Sequence, residues 1–171
     1  MFDLISVASI RSPVSPGDIA FIGLLGTAAI FDAWSFRILN VVALLLAIAF
    51  PAAALLIGIP VDWPYHIVGA AVVLVAGMLL FMRDLLGGGD VKLLAAATLW
   101  YGLDRLPAFL FAVSLAGGLL ALAVLLVRAT GRLRPLPAGR LRGAVSLRRI
   151  NLPYGVAIAL GGLLVRPLLG S

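Results

Sequence analysis

The chain has no cysteine, no glutamate, a single histidine and few charges of either sign. Each shortage removes a class of function. Without cysteine there are no disulfides, no thiol nucleophile, no zinc knuckle and no cysteine-held iron–sulfur cluster. Without glutamate the acidic repertoire shrinks to seven aspartates, each of which can be weighed by itself. Charged residues make up 12% of the 171 positions and hydrophobic residues 63%. Soluble domains run at about 25% and about 45–50%, so this composition belongs in a membrane. The length suits one integral domain over 1–171 with no soluble domain left over. The net charge of +6 does not point to nucleic acid, because no basic stripe with interleaved aromatics is present. On so apolar a chain, basic residues set topology and meet anionic lipid.

What is present is a succession of apolar runs. Residues 1–18 carry Asp3, Arg11, Pro13, Pro16 and Asp18 but neither the basic start nor the small-residue cleavage site of a signal peptide, and read as a retained external tail. Runs over 19–31, 41–59, 65–82, 91–103, 106–127 and 152–169 then predict an all-α, polytopic protein with six transmembrane helices. Trp63 and Tyr65, and again Trp100 and Tyr101, are expected in the aromatic belts at the membrane surfaces. Six spans divide the loops between two sides. One side collects Arg37, Arg83, Lys92 and the seven arginines of a basic loop at 128–150; the other has Arg11, Arg105 and Arg166. The positive-inside rule makes the first side cytoplasmic, with both termini outside.

That topology sorts the aspartates. Asp32 ends the first span and Asp90 opens the fourth, both at the cytoplasmic boundary, where only Asp84 accompanies them. Acids beside a membrane span carry an insertion cost and usually mark function. Two carboxyls close together share a proton, so that one can take a proton from water while the other polarises a carbonyl, without metal or cofactor. Asp90 follows Gly87, Gly88 and Gly89, which permit positive φ and the close approach of another backbone. Structural readings stand beside these. Asp90 suits a helix cap, Asp32 an ion pair with Arg37, and Gly87 to Gly89 an ordinary turn. Lys92 lies off the helical face of Asp90, with lipid phosphate as its expected partner. His66 falls on the external side as an interfacial or core residue, and Asp84 beside Arg83 reads as a solvated turn pair.

Gly87-Gly88-Gly89-Asp90 matches the GxGD signature of intramembrane aspartyl proteases, and its continuation through Trp100 resembles the type IV prepilin peptidases, most closely their short tight-adherence branch. The stretch from Asp32 to Ile38 and Asn40 is similar to the first-aspartate segment of that family, with Leu39 where the family has proline and Trp34-Ser35-Phe36 in place of basic or polar residues. Leu152-Pro153-Tyr154-Gly155 resembles its Pro-Tyr-Gly segment. The resemblance implies an aspartic-type endopeptidase of the bacterial inner membrane, with Asp32 and Asp90 catalytic at the cytoplasmic face. It would act on prepilins or pseudopilins in pilus assembly and protein secretion, alongside other pilus-assembly proteins. Gly87, Gly88, Gly89, Lys92, Asn40, Pro153 and Tyr154 would surround the substrate or carry the motifs, although core packing is open for Pro153 and Tyr154. The tetracysteine segment of longer relatives and any glycine-rich loop for S-adenosylmethionine are absent, so no cofactor, no metal and no methyltransferase activity are expected. Two other classes stay open: a non-catalytic peptidase-like scaffold of a pilus or secretion assembly, and a small proton-coupled transporter.

Overall fold

The computed structural model describes residues 15–35, 40–58, 60–129 and 153–165. Residues 1–14, the segment 36–39 with Arg37, most of the basic loop and Arg166 lie outside that description. The described chain is helical throughout: α1 Pro16–Ser35, α2 Asn40–Ile57, α3 Trp63–Met82, α4 Gly88–Ala129 and α5 Tyr154–Leu164. α1, α3 and the stretch Gly88–Val127 of α4 are long and apolar enough to cross a membrane; Asn40–Leu56 and α5 are apolar but shorter.

Local chemistry sets the helix ends. Ser15 and Asp18 form a reciprocal capping box, Asp18 N–H to Ser15 Oγ at 3.1 Å and Ser15 N–H to Asp18 Oδ2 at 3.0 Å. Pro16 follows the cap, where its missing N–H is not needed. The first helix therefore starts before the expected boundary at 19 and takes in Asp18. α2 gives way to Gly58 at φ 69. α3 closes in a Schellman motif, with Leu85 N–H on the Leu80 carbonyl and Asp84 N–H on that of Phe81. Asp84 takes the left-handed position of that motif, φ 57.

The expected fourth and fifth spans are one element broken at Gly102, whose φ 63 and ψ −173 no helix contains. The break frees the Leu99 carbonyl from its intrahelical donor, and His66 Nδ1 sits 2.6 Å from it. Since a carbonyl can only accept, Nδ1 carries the hydrogen. The imidazole also stacks on Phe50 at 4.9 Å, and a Cβ at residue 102 would lie 3.2 Å from its ring. His66 is thus a structural residue of the bend, in keeping with one of its two expected readings.

The packing forms a ring in the order α1, α2, α4, α5 and back to α1, with α3 laid against α4 outside it. Phe21, Leu25 and Ala28 of α1, Leu46 and Phe50 of α2, Leu93, Ala97, Trp100 and Phe109 of α4, and Ile158 of α5 share one core. Trp100 and Tyr101 stand at its centre, 2% and 4% exposed, and not in an interfacial belt. The correction has a clear cause: both polar atoms are satisfied inside, Trp100 Nε1–H on the Leu46 carbonyl at 3.0 Å and Tyr101 O–H on the Gly162 carbonyl at 2.7 Å. Trp63 and Tyr65 do remain partly exposed.

Small residues let the helices approach, as is common where lipid supplies no hydrophobic drive between helices. On α3, Gly69, Val73 and Gly77 form the buried stripe facing α4. A Cβ at Gly77 would lie 2.7 Å from Val91 Cγ1, a buried β-branched side chain with little freedom to turn. Gly77→Ala should therefore lower thermal stability in detergent by about 1–3 kcal/mol, with Val91→Ala restoring part of the loss. Gly26→Ala, where nothing lies within 4 Å, should not.

Candidate active site

Helical register brings the two key acids together. Phe21 of α1 and Trp100 of α4 touch with ring centroids 5.0 Å apart. Asp32 lies 11 residues further along α1 and Asp90 lies 10 residues back along α4. At 1.5 Å per residue those offsets are about 16 and 15 Å, so in antiparallel helices both acids reach one level. The Asp90 carboxyl is close enough to feel the charge of Asp32. α2 adds its N-terminus at the same level, where Lys92 Nζ donates to Asn40 Oδ1 at 3.2 Å. Within the structure the partner of Lys92 is thus Asn40, which ties the segment after Asp32 to the glycine–aspartate segment. Both side chains are exposed.

The two acids are held differently. Asp32 is buried in the last turn of α1, where the helix dipole disfavours negative charge. The N-terminus of α5 answers it: Gly155 N–H donates to Asp32 Oδ2 at 2.6 Å, while the next N–H, of Val156, is taken by the Pro153 carbonyl at 3.1 Å. Any larger residue at 155 would crowd the acid, since a Cβ would stand 3.0 Å from both Cβ and Oδ2 of Asp32. Asp90 lies in the first turn of α4 with its Oδ2 folded back beside Gly87. The carboxyl thus sits over the helix start, where the dipole favours negative charge.

Gly87, Gly88 and Gly89 serve space and not positive φ, which among the described glycines is confined to Gly58 and Gly102. A Cβ at Gly87 would meet Asp90 Oδ2 at 2.5 Å, and one at Gly88 would meet the Phe81 ring at 3.3 Å. Gly89 is half-buried within the first turn of α4. Pro153 precedes α5 as its cap residue. A Cβ at Gly117 would lie 3.7 Å from the Tyr154 phenol and 3.6 Å from Ala157, so Tyr154 packs over Gly117 and seats α5 on α4. Asp84 occupies the end of α3 with a backbone role of its own. Gly155 is the site residue that sequence reasoning passed over. Its signal was the Pro-Tyr-Gly segment, but only the fold shows that the glycine faces an acid 123 positions away. No group of three or more His, Asp or Glu side chains suited to a metal occurs among the described residues.

The profile of the type IV leader peptidase family matches residues 19–122, more than half of the chain and inclusive of both acids. The chain belongs to the type IV leader peptidase family. Comparison with curated proteins and with solved structures returns no match. Membership indicates a peptidase, and with the apolar helices it marks a membrane-integral leader peptidase whose general substrates are prepilins. α5 lies beyond the matched residues.

A test of this leader peptidase's turn follows from the geometry at Gly87. The atom that would meet a new Cβ is the free end of the Asp90 side chain, which can swing away. Gly87→Ala should therefore leave thermal stability close to the parent, and if the Asp90 carboxyl takes part in the reaction it should slow leader cleavage at least about tenfold, since small misplacements of a reacting group are costly.

Proposed function

We propose that this leader peptidase is an aspartic-type endopeptidase in which Asp32 and Asp90 jointly activate water to hydrolyse the leader of type IV or Flp-like prepilins. The observation that supports it most is the common level of Asp32 and Asp90 on antiparallel helices, at one end of the bundle. Two neighbouring carboxyls hold one proton between them. The ionised member removes a proton from water as its oxygen attacks the scissile carbonyl carbon, and the protonated member hydrogen-bonds the carbonyl oxygen. As the C–N bond breaks, the carboxyl that took the proton delivers it to the departing nitrogen, and the pair is again singly protonated. Nothing in these steps calls on a cofactor or a metal, or on a methyl donor.

In this reading six spans cross the bacterial inner membrane with both termini outside, and the acids lie at the cytoplasmic face. The positive-inside count supports that orientation, since ten of the thirteen basic residues gather on the side of Asp32 and Asp90. A prepilin's apolar helix would lie alongside the spans with its leader junction at the height of the two acids, and pseudopilins would do the same. The lack of side chains at Gly87 to Gly89 favours the approach of a substrate backbone beside the Asp90 carboxyl.

Processing of a co-expressed tight-adherence prepilin is the test, read by gel shift beside the membrane level of each variant. Asp32→Ala and Asp90→Ala should each reduce cleavage to background with the protein still inserted. Asp84→Gly should cleave like the parent, because glycine adopts the left-handed position of residue 84 freely. Unchanged processing by the Asp90 variant would sink the two-carboxyl reading.

A further inference from the structure

The most specific polar contact outside the two acids themselves is the one that α5 makes with Asp32. α5 is 11 residues long, about 16 Å, and its end groups cannot be satisfied within so short a helix. Both ends find partners in the bundle. At the N-terminus, Gly155 N–H meets Asp32 Oδ2 at 2.6 Å with the bond buried. At the C-terminus, the Gly162 carbonyl accepts Tyr101 O–H at 2.7 Å, also buried. Between them the helix is fixed by contacts that leave no slack. A Cβ at Gly161 would lie 2.6 Å from Val113 Cγ2 and 2.7 Å from its backbone nitrogen, and one at Gly162 would lie 2.6 Å from Leu25 Cδ1. α5 is therefore held at a set height on α1 and α4, and that height determines where its first N–H groups stand.

We propose that Gly155 is a positioning residue for the leader peptidase reaction. The N-terminus of α5, outside the matched part of the chain, holds Asp32 by Oδ2 so that its other oxygen is directed to the space shared with Asp90. Three features of the geometry require this assignment to fall on Gly155. Its N–H is the donor in the short bond, its lack of a side chain is what admits Asp32 within van der Waals range, and its position is set by the Tyr101–Gly162 bond at the far end of the helix. An alanine at 155 would press on Cβ, Cγ and Oδ2 of Asp32 together and turn the carboxyl away from the donor. The inference rests on the reading of Asp32 as one of the two reacting carboxyls.

Two measurements on the full-length protein test it. The first is a double-mutant cycle of Gly155→Ala and Asp32→Ala, read as thermal stability in detergent and as membrane accumulation. The methyl group added by Gly155→Ala would strike the side chain of Asp32. The substitution should therefore lower the melting temperature in the parent and much less in the Asp32→Ala background, a non-additivity expected of residues in contact. Should Gly155→Ala alone fail to accumulate, its recovery by Asp32→Ala carries the same meaning. The second is cleavage of a reconstituted prepilin by Gly155→Ala: kcat should fall by about 100-fold, the scale of a 1 Å misplacement, with KM close to the parent's. Additive stability effects, or kcat within about threefold of the parent on the same scale, would overturn the proposal. If the cycle is coupled but Asp32→Ala itself still cleaves, the contact stands and the catalytic reading of Asp32 falls, and the positioning role falls with it.

Discussion

A carboxylate at the C-terminal end of an apolar helix is in the wrong place twice. The dipole of its own helix opposes the charge, and burial removes the water that would otherwise solvate it. Asp32 is in that position, 4% exposed at the end of α1. It is tolerated because a second helix begins opposite it and supplies the backbone N–H of Gly155. Asp18, at the other end of the same helix, shows the contrast. There the dipole is favourable, and the acid is simply half of a capping box with Ser15. One aspartate in α1 is explained by its own helix; the other needs the tertiary fold.

The rest of the bundle serves to bring α5 to that point. Trp100 and Tyr101 fill the centre, each with its polar atom bound to a helix carbonyl, so the ring of α1, α2, α4 and α5 closes on a core in which neither donor is stranded. Glycine provides the close contacts: Gly77 against Val91, Gly161 against Val113, Gly162 against Leu25. The bend at Gly102 divides α4: before it, Trp100 and Val91 meet Leu46 of α2 and Gly77 of α3, and after it, Val113 and Gly117 meet Gly161 and Tyr154 of α5. His66 stabilises that bend by placing its own N–H on the freed Leu99 carbonyl, where neither water nor lipid has to substitute.

Much of this was legible in the sequence. A succession of apolar runs implies an all-helical fold, and the described helices overlap those runs, with α4 counted as two. Asp32, Asp90 and the glycines before it stand out because so few acids are present to compete. What could not be read is what depends on distant partners. Trp100 and Tyr101 have the composition of interfacial residues, and only the carbonyls of Leu46 and Gly162 reveal why they lie inside. Lys92 looks like a lipid-facing cation until α2 brings Asn40 beside it. The Gly87 to Gly89 run suggests a hinge, whereas none of the three takes a positive φ and its smallness is used to admit the Asp90 carboxyl and the Phe81 ring. Ser15 and Asp18 fell in the expected tail, and the structure places them instead at the helix start, where each bonds the other's backbone N–H.

The unequal support of the two acids has a mechanical consequence. Asp90 lies in the first turn of α4 with its carboxyl folded beside Gly87, and so moves as a unit with the start of that helix. Asp32 is held by a different helix, and its donor moves with α5. The separation of the two carboxyls is therefore governed by how α5 sits on α1 and α4, which is decided at Gly117 under Tyr154, at Gly161 under Val113 and at Gly162 under Leu25. Contacts of that kind are steep, because a shift of a few tenths of an ångström exchanges attraction for overlap. They hold a register well but do not deform gradually. A pair of acids whose spacing is set by small-residue helix packing, and not by a direct bond between them, keeps both carboxyls available to a third party. For the two-carboxyl mechanism proposed above, in which both groups act on one water and one carbonyl, that arrangement is more useful than an acid pair closed on itself.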